Sequence, residues 1–176
     1  MDDYLREPRI SPATTDHLPA IVELADRWQL RPGAGVVTDQ GFLMAGWGRR
    51  DYELFLSEAE LFFVAIHEDE LAGFFIGYSC ERRHFEPWLH AELARHLDAY
   101  MLFEQMCIAP EWAHRGVGSR MMSSMLALDR SAPVISESAR VPLNTASTNL
   151  HRKFDFTPLV ELTRPSGLQT TVWIHE

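Results

Sequence analysis

The sequence predicts an α/β fold: a mixed, mostly antiparallel central sheet of six to seven strands, with helices on both faces, in a single domain over residues 1–176. Three observations predict it. Two apolar runs, Leu61 to Ile66 and Leu71 to Ser79, flank the polar turn His67-Glu68-Asp69-Glu70, which is the pattern of a hairpin. The second half alternates strand and helix, which requires at least one parallel pair. The hairpin strands are apolar on both faces, so both faces of the sheet need a cover.

Each element follows in order. A short strand is expected around Pro8 to Ser11. Thr15 to Leu30 reads as a helix capped by Asp16, with Leu18, Ile21, Val22, Leu24, Ala25 and Trp28 as its apolar stripe. Arg31-Pro32-Gly33-Ala34-Gly35 breaks it. Between Asp39 and Ser57 the glycines Gly46 and Gly48 favour two short helices over one. After the hairpin, Trp88 to Asp98 is expected as a helix and Tyr100 to Ala109 as a strand. On that strand Leu102, Glu104, Met106 and Ile108 point one way, and Phe103, Gln105 and Cys107 the other. A helix over Val117 to Arg130, a strand over Pro133 to Ala139 and a helix over Asn144 to Phe154 come next. The chain ends in a hairpin, Phe156 to Thr163 and Gln169 to His175, around Pro165-Ser166-Gly167.

Composition narrows the function. With 46% hydrophobic residues the chain can build a core. Its formal net charge of −9 argues against a nucleic-acid binder, while leaving room for a local basic pocket. Two cysteines, Cys80 and Cys107, are too few for a disulfide scaffold and fit a reducing, cytoplasmic compartment. The first residues lack the apolar core of a signal peptide, and no uncharged apolar run reaches the roughly 18 residues of a membrane span. His84, His90 and His96 do not share a helix face, so no metal site is expected. Trp47, Trp88 and Trp112 either line a pocket or pack in the core.

The chemistry concentrates at two places. The first is Glu104 to Arg120, EQMCIAPEWAHRGVGSR, where a strand runs through a turn with Gly116 and Gly118 into a helix. A helix N-terminus offers unpaired N–H groups and a positive dipole end, and glycines let a phosphate approach the backbone. His114, Arg115 and Ser119 add cationic and hydroxyl groups. It is not a dinucleotide fingerprint, because Met121 stands where the third glycine belongs, and it is not a Walker A loop. The second is Pro142 to Phe156, whose helix places Asn144, Ser147 and His151 on one face and Ala146, Leu150 and Phe154 on another.

In these two segments the chain resembles the GCN5-related N-acetyltransferase (GNAT) superfamily. Strand–P-x-x-x-x-R-G-x-G–helix at Ile108 to Gly118 is similar to the family's acetyl-CoA pyrophosphate motif. P-x-N-x-x-S-x-x-[FL]-H-x-x-x-x-F at Pro142 to Phe156 is similar to its downstream helix and turn. Ala113 replaces a usual Gln or Arg, Asp155 a usual Gly, and His151 a frequent Tyr.

The resemblance implies an acetyl-CoA-dependent N-acetyltransferase acting on a primary amine by direct attack, with acetyl-CoA as co-substrate, no metal, and neither nucleic acid nor membrane as partner. It places the pantetheine arm on Met106, Cys107 and Ile108. The pyrophosphate falls on the backbone of Arg115, Gly116, Val117, Gly118 and Ser119 near His114, and the amide region on Asn144 and Ser147, with His151 also at the cofactor. A base is needed because an alkylamine is mostly protonated at pH 7. Glu104 is the candidate base, and His151, titrating near neutrality, the candidate acid for the leaving thiolate. Tyr100 is the nearest tyrosine to the long strand. Each residue also has a plainer reading: Glu104 as a salt-bridged carboxylate, His151 as a hydrogen-bonding group. Two functional alternatives remain beside the leading one, a non-catalytic acyl-CoA sensor and an acyltransferase with a longer donor. The terminal hairpin offers an edge for homodimer pairing.

Overall fold

A computed structural model describes residues 7–30, 41–44 and 46–176. Seven strands form one sheet in the order β1-β2-β3-β4-β5-β7-β6. They are β1 (Arg9–Pro12), β2 (Leu61–His67), β3 (Glu70–Ser79), β4 (Met101–Ile108), β5 (Val134–Val141), β6 (Thr157–Thr163) and β7 (Gln169–His175). Neighbours are antiparallel except β4 and β5, the parallel pair that the alternation demanded. The helices are α1 (Leu18–Trp28), α2 (Arg49–Glu58), α3 (Pro87–Leu93), α4 (Val117–Leu126) and α5 (Thr145–Lys153).

Helix α1 starts later than its apolar stripe suggested. Pro19 lacks an N–H and fits only a first turn, so Thr15–His17 forms a 3₁₀ turn and the α-helix begins at Leu18. Of the two short helices expected between Asp39 and Ser57, the described residues contain one, α2. Gly48 is its N-cap, and its N–H donates to the Asp51 carboxylate at 2.7 Å. The breaker Arg31 to Gly35 and the start of that stretch lie outside the described residues. Helix α3 stops at Leu93 rather than Asp98, and α4 at Leu126, where Arg130 donates to the Leu126 carbonyl.

The sheet separates two cores. On one face α1, α2 and α3 pack Ile21, Phe55 and Leu89 against Phe74 and Tyr78 of β3. On the other, Val117, Met121 and Met125 of α4 meet Phe75, Phe103 and Trp173.

Two departures from a regular sheet create the cleft. Strands β4 and β5 pair only over Met101–Phe103 and Val134–Ser136, then part. At the point of parting β4 carries a bulge: Phe103 pairs with Gly77 and Gln105 with Ile76, leaving Glu104 unpaired. A bulge shifts the side-chain alternation by one. The expected face Leu102, Glu104, Met106, Ile108 is therefore wrong. Leu102 shares its core with Cys107, while Phe103 shares the other with Met106 and Ile108.

Candidate active site

The parting of β4 and β5 opens a cavity of about 200 Å³. Its lining includes Glu104 to Ile108, Gly118, Ser136 to Ser138, Asn144, Ser147, His151 and Arg164, with Trp28 and residues 41–44 on one side. Segment 41–44 is held by α1, the Leu43 N–H donating to Trp28 O at 2.7 Å and the Leu30 N–H to Leu43 O at 2.8 Å.

The backbone of β4 presents open groups to this cleft. The Ala109 N–H bonds Ala72 on β3, so by antiparallel alternation Cys107 and Gln105 also turn their backbones to β3. Met106 and Ile108 turn theirs the other way, where β5 no longer reaches. The Ile108 carbonyl is taken by the Trp28 indole N–H at 3.1 Å. The Met106 N–H and carbonyl and the Ile108 N–H remain. Cys107, expected as a pantetheine contact, thus turns its backbone away, and burial pushes its thiol well above the usual range.

At one end of the cleft stands the N-terminus of α4. Gly116 is its N-cap with φ of 82°, a left-handed conformation that favours glycine, and His114 is left-handed too with φ of 60°. The helix's first i→i−4 bond runs from the Arg120 N–H to Gly116 O at 3.0 Å. The N–H groups of Val117, Gly118 and Ser119 precede it and are free for an anion. The Arg115 N–H is drawn into a long turn bond to Trp112 O at 3.4 Å, and its guanidinium lies over the Trp112 ring. A Cβ on Gly118 would lie 3.5 Å from Ile108 Cγ1 and 3.7 Å from Met106 Sδ, so a larger side chain there would enter the cleft.

Helix α5 contributes less openly than its sequence suggests. Asn144 caps it, Oδ1 accepting from the Ser147 N–H at 3.1 Å, and Nδ2 donates to Phe42 O at 2.8 Å. Both ends of the amide are occupied, and Asn144 ties α5 to segment 41–44. His151 is 3% exposed and stacks on Trp173 with 4° between the rings. Its Nδ1 faces Ser147, and its Nε2 has no partner. Burial lowers its pKa to about 4, with a smaller opposing contribution from Ser147. The expected titration near neutrality fails for this reason: His151 is neutral at pH 7.

At the other end the bulge delivers Glu104 into a cluster of charges. Tyr78 O–H donates to Glu104 Oε2 at 2.7 Å. Arg164 pairs bidentately with Glu137 and reaches Glu86 at 3.4 Å. Burial, with repulsion from Glu86 adding to it, raises the Glu104 carboxyl to about 7, against the Tyr78 hydrogen bond and the Arg164 charge. Burial also pushes the Tyr78 phenol up, so it stays a donor.

The cleft thus gathers Glu104, Met106, Ile108, Gly118, Ser147 and His151, with Val117 and Ser119 at its α4 end. Tyr100 is outside it, its O–H 2.5 Å from Nδ1 of the buried His90. The three tryptophans left open also fall outside the lining: Trp47 packs edge-on against Phe55, Trp112 against His67, and Trp88 lies under Arg164. Sequence reasoning missed Glu137, Arg164, Tyr78 and Trp28. A charge inside the apolar run V-I-S-E-S-A was a signal for Glu137; nothing local marked Arg164.

The profile of the acetyltransferase (GNAT) family matches residues 25–156. No curated protein matches the sequence at a significant level. The structure is similar to Ard1 from Thermoplasma volcanium, at 14% identity, a TM-score of 0.67 and 95% coverage of both chains. It is similar to an N-acetyltransferase from Staphylococcus aureus Mu50, at 15% identity, a TM-score of 0.65, and 95% and 100% coverage of the two chains. It also resembles Arabidopsis thaliana NAA60 in complex with acetyl-CoA, at 10% identity, a TM-score of 0.65, and 95% and 97% coverage. At these identities the likeness is one of fold.

Proposed function

From membership of the GNAT acetyltransferase family, to which this chain belongs, we propose that it transfers the acetyl group of acetyl-CoA to a primary amine by direct attack. The acceptor is a small molecule, an amino-acid derivative or a peptide. One observation carries the reading: the cleft where β4 leaves β5 has a helix N-terminus at one end and, at the other, a carboxyl held near neutrality on a bulge. The residues fit the co-substrate. The α4 donors are open, a Gly118 side chain would point into the space, and the buried Nε2 of His151 lacks a partner.

Acetyl-CoA supplies the activated thioester. The N–H groups of Val117, Gly118 and Ser119 hold its diphosphate, and the helix dipole favours that charge. The Met106 N–H is the donor placed for the developing oxyanion. Glu104, poised near the working pH, takes the proton that an ammonium must lose before nitrogen can attack. The three carboxylates Glu86, Glu104 and Glu137 face one Arg164, which suits a cationic acceptor. His151 is neutral and buried, so it orients the co-substrate by hydrogen bonding, and protonation of the departing thiolate falls to solvent.

The test is calorimetry with acetyl-CoA, then release of free CoA with a panel of amines. Ligand at about 100 times its Kd should stabilise the fold by about 2.7 kcal/mol. Gly118→Trp should abolish binding and leave the fold intact. Binding without CoA release for any amine would favour a sensor, and no binding at all would overturn the reading.

A further inference from the structure

The bulge on β4 does more than leave Glu104 unpaired. It sets two consecutive side chains toward one face of the sheet. Glu104 reaches Tyr78 and Gln105 reaches Tyr52, and both tyrosines belong to the core on the α1, α2 and α3 side. The two side chains are held alike. Tyr78 O–H donates to Glu104 Oε2 at 2.7 Å, and Tyr52 O–H donates to Gln105 Oε1 at 2.8 Å. Both tyrosines are fully buried, and burial pushes both phenols up, so each stays protonated and gives its hydrogen to an oxygen. That settles which end of the Gln105 amide is left over. Its Nε2 has no partner among the described residues, although Gln105 is only 6% exposed. The nitrogen is not sealed in the core either, because Gln105 lines the cleft beside Glu104. A largely buried amide donor turned to a cleft and left without an acceptor is costly unless a ligand supplies one.

We propose that Gln105 determines which amine is accepted: its Nε2 donates to a neutral carbonyl oxygen of the acceptor, whose amine faces Glu104 Oε1. The inference rests on the proposed acetyl transfer to an amine. Consecutive residues take groups that lie close together on the acceptor. An α-amino amide carries its amine and its carbonyl in that relation, whether it is a small amino-acid amide or the N-terminus of a peptide. A plain alkylamine lacks the oxygen and leaves Nε2 unpaired. A carboxylate in the carbonyl's place would meet Glu86 and Glu137 against the single guanidinium of Arg164, so the neutral group is favoured.

The test compares leucinamide with isoamylamine, which lacks only the carboxamide. The ratio of wild-type to variant kcat/KM is read for each amine, so the difference in their basicity cancels. Gln105→Met removes the donor, and its loss should be about tenfold larger for leucinamide than for isoamylamine and should appear in KM. Methionine also strands the Tyr52 hydroxyl. The double variant Tyr52→Phe/Gln105→Met removes both partners, so it should keep Tm near wild type and show the same selective loss. A tripeptide amide that begins with leucine, run beside leucinamide, tells a peptide N-terminus from a small amide by the higher kcat/KM. If wild type releases no CoA with any amine, the acetyl-transfer reading fails and takes this proposal with it. If wild type acetylates amines and both variants lose equally on leucinamide and isoamylamine, the Gln105 contact alone is overturned. Leucine accepted better than leucinamide, at equal concentrations of free amine, would overturn the neutral carbonyl.

Discussion

The two ends of the cleft are built from different materials. The α4 end is mostly backbone: open N–H groups on Val117, Gly118 and Ser119, fixed by helix geometry whatever the neighbouring side chains are. The opposite end is side-chain charge: Glu104 from a bulge, Glu137 from β5, Glu86 from the start of α3, and Arg164 from beyond β6. Backbone donors are independent of one another and degrade one at a time. Partly buried charges are interdependent, because each is tolerated only while its partner is present. Substitutions at the charged end should therefore cost both stability and chemistry, and those at the backbone end should cost binding alone.

Arg164→Met is the strongest challenge to that contrast. Arg164 is 17% exposed and Glu137 4%, so removing the guanidinium strands a buried carboxylate. Breaking such a pair from one side costs about 3–5 kcal/mol. Loss of the positive charge also raises the Glu104 carboxyl further above about 7, moving the acidic limb of the rate profile to higher pH. Acetyl-CoA affinity should stay near wild type. A denaturation midpoint unchanged in Arg164→Met would show a solvated pair and remove the distinction between the two ends.

Glu104→Gln sharpens the contrast with less effect on the fold. If Glu104 takes the proton, kcat should fall about 10²-fold with acetyl-CoA affinity retained. The wild-type rate should rise with pH through about 7 as the carboxyl ionises, and the Gln variant should lack that limb. The stability sign is opposite. The folded carboxyl holds its proton up to about 7, against an ordinary value of 4.5. Wild type therefore loses stability as pH rises across that window, and Glu104→Gln does not. Equal pH dependence of Tm in both proteins would mean that Glu104 is solvated and ordinary.

The same division explains what was legible in the sequence. The strand–turn–helix junction at the α4 end could be read because it needs only local signals, and Gly116 and Gly118 marked them. The strand order's one parallel pair followed from alternation for the same reason. The bulge could not be read. It arises because Gly77 and Ile76 of β3 meet Phe103 and Gln105, skipping Glu104, which is a property of two strands about 25 residues apart rather than of either one. Arg164 was invisible because its partners lie 27 and 78 positions away. His151 was placed correctly in the cleft but given the wrong ionisation. Its neutrality comes from Trp173 and Phe156 packing around the ring, two side chains that its own helix does not contain.

His151→Phe is the smallest expected effect and separates binding from catalysis at the junction of the two ends. A phenyl ring keeps the stack on Trp173 and loses the ring nitrogens. Loss of one hydrogen bond to the co-substrate, about 0.5–1.5 kcal/mol, should weaken acetyl-CoA by about 2- to 12-fold and leave kcat nearly unchanged. Because His151 is neutral above about 4, the basic limb of the rate profile should survive the substitution. A lost basic limb would restore His151 as the acid. Stability gives an independent reading. The folded imidazole titrates at about 4 and the free one at 6.5, so between those values the unfolded chain binds the extra proton. Wild-type stability is then intact above 6.5 and falls as the pH drops toward 4. His90, also buried and held at about 4, adds a parallel loss. His151→Phe should remove its own share and leave that of His90, so the fall in Tm between pH 6.5 and 4 becomes shallower without disappearing.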